Sequence, residues 1–160
     1  MSGDLSVTSG MIRQFVSQKR LALAGASRSG KKFGNVILRE LKARGYDVVP
    51  VHPEAVELEG LSCEKGLAAL EGRVDGLVVV TPPAEAARLV GEAAAAGIRS
   101  VWLQQGAGSE EAVRTARERG VTLVSGQCLL MFLSDVRGIH RFHRGLRRLL
   151  GRLPAETARA

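Results

Sequence analysis

The sequence predicts an α/β fold: a Rossmann-like, doubly wound parallel sheet of five strands, with an N-terminal helix and a basic C-terminal helix. Five short apolar runs bounded by Gly or Pro, at residues 21–24, 47–51, 74–80, 100–103 and 121–124, have the length and composition of buried strands. Segments with helical periodicity separate them, and such alternation builds a parallel sheet with helices on both faces. The third observation is the stretch over residues 21–53, LALAGASRSGKKFGNVILRELKARGYDVVPVHP, which reads as strand, Gly-rich basic turn, amphipathic helix and strand. Counting the five runs in chain order, the expected strand order is 3-2-1-4-5.

Residues 1–7 are expected to form a flexible terminus. Thr8 or Ser9 then caps a short helix that brings Met11, Ile12, Phe15 and Val16 onto one face, for packing on the sheet edge. The first run ends at Gly25. A helix over 34–43 follows the turn, with Val36, Ile37, Leu38 and Leu41 available for packing and Gly45 as its stop. His52-Pro53 closes the second strand, since proline cannot donate to a ladder, and a loop leads to a short helix near 64–70. Thr81-Pro82-Pro83 stops the third strand and opens an Ala-rich helix over 84–96, whose first turn needs no N–H at proline. After the fourth strand, Gln104-Gln105-Gly106-Ala107-Gly108 forms a turn and Ser109 caps a helix through Arg119. Its Glu110 and Glu111 start and Arg117 and Arg119 end suit the helix dipole. The domain proper covers residues 8–135. An amphipathic helix over 136–153 and a flexible tail over 154–160 complete the expected chain.

At 160 residues the chain is long enough for one domain that buries roughly 70% of its unfolded surface without disulfides or metal. No apolar run approaches the roughly 18 residues of a membrane span, and MSGDLSVTSG lacks the basic and apolar regions of a signal peptide. A cytoplasmic protein is expected. Cys63 and Cys128 form no disulfide framework and lack metal-ligand spacing. The net charge of +7 favours anionic partners and is concentrated in two places. One is the turn, with Arg28, Lys31 and Lys32. The other is the tail, where Arg137, Arg141, Arg144, Arg147, Arg148 and Arg152 meet no acid until Glu156.

In sheets of this kind ligands bind beyond the carboxyl ends of the strands, which gathers the turns at Gly25, His52, Thr81 and Gln104 around one crevice. Backbone N–H groups at a helix start, with cations beside them, form a phosphate site. The residues Gly25-Ala26-Ser27-Arg28-Ser29-Gly30 fit G-x-G-x-x-G except at Ser27, which stands where the second glycine admits a pyrophosphate. A dinucleotide fold also needs an acid at the end of the second strand, and His52-Pro53 stands there, with Asp47 at the wrong end. The triphosphate loop G-x-x-x-x-G-K-[ST] fits Gly25, Gly30 and Lys31, but Lys32 replaces the Mg²⁺-binding hydroxyl. What remains is a ligand with several phosphates and no need of a ribose-binding acid. Coenzyme A, with its diphosphate and ribose 3′-phosphate, meets that description.

Five segments in order carry a resemblance: GASRSGKKFGN, VVPVHP, VVVTPP, VWLQQGAGS, and GQCLLMF followed by GIHRFH. Together they resemble the CoA-binding domain family related to the nucleotide-binding domain of the succinyl-CoA synthetase alpha subunit, and in particular its small stand-alone members. The likeness runs from about Val16 to His143. It implies that Gly25, Ala26, Ser27, Arg28, Ser29 and Gly30, with Lys31 and Lys32, surround the CoA phosphates. It implies also that His52 and Pro53 lie near the adenosine end, Val80, Thr81 and Pro82 along the ligand, and Leu103, Gln104, Gln105 and Gly106 at the fourth turn. The synthetase has a lysine shortly after its second-strand proline; Ala55 stands there in this chain, leaving Arg28, Lys31 or Lys32 to supply the charge. The synthetase's phosphohistidine and ligase regions lie beyond the matched segment, so the resemblance implies non-covalent binding of CoA or acyl-CoA by a carrier, sensor or partner subunit, with no catalysis of its own.

Other chemistry stays open at this level. Cys128 or His52 near the crevice would suit a CoA- or NAD(P)-dependent enzyme, although Cys128 has no flanking acid–base partner in sequence. His140 and His143, at i and i+3, fall short of the four ligands of a structural zinc site. Ile139, Phe142, Leu146, Leu149, Leu150 and Leu153 make the C-terminal helix a packed or oligomer-forming element. Its arginines alternatively offer a nucleic-acid contact, though aromatics are 4% and no reading motif accompanies them. Gln104 and Gln105 end a buried strand and require hydrogen-bond partners, of which a ligand is one candidate, while Trp102 belongs to the core.

Overall fold

The computed structural model describes residues 6–133. The elements are helix α1 (Ser9–Ser17), strand β1 (Arg20–Ala24), helix α2 (Phe33–Ala43), strand β2 (Asp47–Val51), and a hairpin of β3 (Glu57–Leu58) and β4 (Leu61–Ser62). Strand β5 (Gly76–Val79), helix α3 (Pro83–Ala95), strand β6 (Ser100–Gln104), helix α4 (Glu110–Arg119) and strand β7 (Thr122–Gln127) follow, with 3₁₀ turns at Leu67–Leu70 and Leu129–Met131. The first of these turns is all that forms where a short helix is expected over 64–70. The C-terminal helix expected over 136–153, with its arginines, His140 and His143, lies outside the described residues, as do residues 1–5 and 154–160.

Five strands form one all-parallel sheet in the order β2-β1-β5-β6-β7. Leu21 lies opposite Val48 on one side and Gly76 on the other, and Val101 lies between Leu77 and Leu123. Side chains alternate between the faces, as the strand period requires. Leu21, Leu23, Val78, Trp102 and Val124 meet Ile12 and Phe15 of α1 and Ile37, Leu38 and Leu41 of α2. Ala22, Ala24, Leu77, Val79, Val101 and Leu123 meet α3 and α4. The N-terminal helix thus lies over a face at β6 and β7 rather than along an edge, with Phe15 against the fully buried Trp102 at a ring separation of 5.4 Å. Trp102 donates its indole N–H to the Gln127 carbonyl at 3.2 Å, which settles its one polar atom.

The Rossmann-like sheet is as expected, but its order corrects the predicted 3-2-1-4-5. In the same counting it is 2-1-3-4-5: the third run pairs with the first and not outside the second. The physical reason lies in Pro50. Its carbonyl points away from β1 and accepts from the Glu64 N–H at 3.0 Å, so its nitrogen, which has no hydrogen, faces the same outer side. Strand β2 therefore suits an edge, where only a one-residue parallel bridge, Val51 to Glu64, is added. Strand β5, buried at all four positions, takes an interior place.

At the amino end of the sheet Arg20 reaches Asp75 through two hydrogen bonds, of 2.7 and 3.2 Å. That bond, aided by the guanidinium charge, holds the Asp75 carboxyl below its usual pKa. The sign follows directly: stability from this pair is complete above the ordinary carboxylate pKa of about 4 and fades as pH falls through the lowered Asp75 value. Acid unfolding of Asp75→Asn, followed by circular dichroism, should begin from a lower stability at neutral pH and show a shallower acid limb.

Candidate functional site

The chain reverses direction across the sheet between β1 and β5, and the crevice of such a fold opens at the carboxyl ends of those two strands. Two glycines bring the backbone together there. Gly25 has φ of +120°, and a Cβ on it would lie 2.5 Å from the carbonyl carbon and oxygen of Val80, so the turns after β1 and β5 touch. Gly34, in the first turn of α2, would place a Cβ 2.4 Å from the Gly25 carbonyl oxygen and 2.8 Å from the Ala26 nitrogen. Close approach of helix to strand is the third glycine's task in a dinucleotide fingerprint. The spacing assigns it to Gly30, but the structure gives it to Gly34; Gly30 serves a turn with φ of +72°. The loop between the two close contacts is therefore longer than in G-x-G-x-x-G.

Helix α2 starts without a capping oxygen, Lys32 occupying the N-cap and no acid the first turn. Helices α1 and α4 start differently: the Thr8 hydroxyl accepts from the Met11 N–H and the Ser109 hydroxyl from the Ala112 N–H. The positive end of α2 thus faces the crevice with Arg28, Lys31 and Lys32 exposed around it. Within the loop the Ser27 and Ser29 hydroxyls are 2.8 Å apart, and Ser29 Oγ accepts from the Lys31 N–H.

Asn35 fixes this loop, and sequence reasoning missed it. Only 1% exposed, it accepts the Ser27 N–H on Oδ1 at 2.9 Å and donates from Nδ2 to the Ser27 carbonyl at 2.9 Å. It also accepts from the Ser27 hydroxyl and donates to Glu59. A polar residue in the first turn of a helix normally reads as surface; the helical spacing of Asn35, Arg39 and Lys42 onto one face was the available signal.

At the second turn His52 Nδ1 accepts from the N–H groups of Glu54 and Ala55, at 3.1 and 2.9 Å, so the ring closes its own turn and carries its proton on Nε2. Glu54 reaches back to Arg28 at 3.0 Å, an exposed ion pair joining the first and second turns. Pro53 is exposed beside it. Val80 and Thr81 are half-buried and Pro82 exposed at the third turn. At the fourth, Leu103 is core, Gln105 and Gly106 are exposed, and Gln104 is buried with Oε1 accepting from the Leu129 N–H at 3.0 Å. Gln104's carboxamide oxygen therefore has its partner within the protein. Phe33 and Val56 are exposed large apolar side chains, one opening α2 and the other following the second turn. N–H groups, hydroxyls and exposed cations around an uncapped helix start can hold an anion.

Residues 19–134 match the family model described as a CoA binding domain. The chain belongs to that family. Among solved structures, this CoA binding domain is similar to a conserved hypothetical protein from Pyrococcus furiosus, with 40% identity and a TM-score of 0.66 over 69% of this chain and 96% of that one. It is 25% identical to the uncharacterized protein YneT of Bacillus subtilis, over 69% of this chain and 82% of that protein. It is also 25% identical to the alpha subunit of the ADP-forming acetate–CoA ligase II of Pyrococcus furiosus, over 74% of this chain but only 28% of that subunit.

Two thiols complete the inventory of this CoA binding domain. Cys128 is buried just after β7. Burial pushes the Cys63 thiol above its usual pKa, and the Glu57 carboxylate adds to the shift, so its thiolate is scarce at neutral pH. Among the described residues no group of three His, Cys, Asp or Glu side chains is disposed to hold a metal ion. No helix among them is long and apolar enough to cross a membrane.

Proposed function

We propose that this domain binds coenzyme A or acyl-CoA non-covalently along the carboxyl ends of β2, β1, β5 and β6, as a carrier, sensor or partner subunit without catalysis of its own. The observation that carries the reading is the uncapped, cation-flanked start of α2 at the chain reversal, in a chain of the CoA binding domain family. Residues 25–32 would receive the phosphates, His52 and Pro53 would border the adenosine, and Val80, Thr81, Pro82, Leu103, Gln105 and Gly106 would line the path of the remaining arm. Gln104 would act from behind by holding the Leu129 backbone. Exposed Phe33, next to Lys32, offers apolar surface beside the phosphates. A dinucleotide is disfavoured because Ser27 stands where the pyrophosphate needs a glycine and His52-Pro53 where the ribose needs an acid.

Calorimetric titration with CoA, dephospho-CoA and NAD tests the reading. CoA should bind most tightly, dephospho-CoA more weakly for want of the 3′-phosphate, and NAD weakest. NAD binding as tightly as CoA would overturn it. Because Arg28 must leave Glu54 to meet a phosphate, Arg28→Ala should weaken CoA by about 1.5 kcal/mol, roughly tenfold, the lower end for a charge-assisted bond.

A further inference from the structure

The β3–β4 hairpin turns through Glu59 and Gly60, with φ of +52° and +76°. A two-residue hairpin turn with both central residues at positive φ favours Asn, Asp or Gly first, and Glu59 is the sole non-glycine residue at positive φ among the described residues. An unfavourable residue held in an unfavourable conformation points to a use for its side chain. That side chain leaves the hairpin and lands on α2. Glu59 Oε1 accepts from Asn35 Nδ2 and from Arg39 Nη1, each at 2.9 Å, while Lys42 Nζ donates to the Glu59 carbonyl at 3.0 Å. Asn35, Arg39 and Lys42 form one stripe along the helix, so the hairpin tip is fastened at three successive turns.

We propose that Glu59 is a positioning residue that sets the shape of the Gly-rich loop through Asn35; its effect on ligand affinity rests on the CoA-binding reading above. A carboxylate only accepts hydrogen bonds, so it turns the Nδ2 end of Asn35 towards itself and towards the Ser27 carbonyl. The Oδ1 end is then left to receive the Ser27 N–H and hydroxyl. Glu59 also holds Arg39 against the Gly30 carbonyl at 3.4 Å, closing the far side of the loop. Both ends of the Ser27–Gly30 turn, itself joined by the Gly30 N–H to the Ser27 carbonyl at 3.2 Å, are thus tied to one carboxylate on a separate element. The loop is set before any ligand arrives, and a preset loop binds more tightly because it has less left to order.

Two variants test this. Glu59→Gly removes the carboxylate and at the same time suits the turn, so a loss of binding without loss of global stability is the expected signature. Glu59→Gln keeps an oxygen for Asn35 and should lose less. In Glu59→Gly, amide hydrogen exchange at Ser27 and Gly30 should rise at least tenfold while amides of β5 and β6 are unchanged, and CoA affinity should fall about tenfold. Glu59→Gln should fall about threefold. Unchanged exchange at Ser27 and Gly30 would overturn the proposal, as would unchanged affinity in a variant whose loop exchanges faster. An affinity loss accompanied by an equal fall in urea-unfolding stability would mark a merely structural role and likewise overturn it. Failure of the wild-type chain to bind CoA would instead sink the CoA reading, and the exchange measurement would still decide the clamp.

Discussion

Gly34→Ala should lower the unfolding free energy by about 3 kcal/mol, the upper end of the ordinary range for forcing atoms into a filled space. The added methyl would sit 2.4, 2.6 and 2.8 Å from three backbone atoms of Gly25 and Ala26. None of these is the movable end of a side chain. Relief requires α2 to back away from β1, which opens the packing of Ile37, Leu38 and Leu41 against the sheet. Urea unfolding followed by Trp102 fluorescence measures the loss, and Gly91→Ala supplies the contrast. Gly91 lies inside α3, where a Cβ would meet only Thr115 Cγ2 at an ordinary 3.8 Å. There the same substitution should stabilise by roughly 0.5–1 kcal/mol, because glycine costs that much inside a helix. A Gly34→Ala variant as stable as wild type would mean that helix and strand are not in this close contact.

Asn35→Leu should cost about 3 kcal/mol as well, by a different route. The leucine fits the volume but leaves the Ser27 N–H without its partner, takes one of two donors from the Ser27 carbonyl, which keeps the Gly30 N–H, and strips one donor from Glu59. Each buried group so abandoned costs about 1–3 kcal/mol, and the loop's exposure to water returns part of it. The effect should divide between measurements, with stability falling in urea and CoA affinity falling further still, since the loop loses its shape in the folded protein. A variant that retains wild-type stability and affinity would remove Asn35 from the centre of the site.

Much of this architecture is legible in the sequence because it depends on local signals. Gly25, Gly45, Gly97 and Pro82-Pro83 punctuate the chain, and Thr8 and Ser109 cap the helices expected of them. The strand order is not local. An apolar run tells that both faces are covered, as for β5, but not which strand lies beside it; only the Pro50 nitrogen carries a hint, and its direction depends on register. The hairpin was missed because two-residue strands leave no periodicity and Glu59 disguises a turn that Asn would announce. Gly34 and Asn35 escaped for a related reason: adjacent in the first helical turn, they are defined by how closely another segment approaches, which spacing alone does not encode. The Gly-rich turn itself is legible from composition, and the structure adds the machinery that holds it.

The Pro50 edge has a consequence for solubility. A sheet boundary with free N–H and carbonyl groups is a template on which another chain can add, the first step toward fibrous polymerisation. Beyond β2 that template is spoiled twice, by a nitrogen with nothing to donate and by Glu64 already occupying the neighbouring carbonyl and the His52 N–H. At Pro50 and His52 an incoming strand would find its partners either missing or taken, so growth of the sheet is blocked at that end of β2.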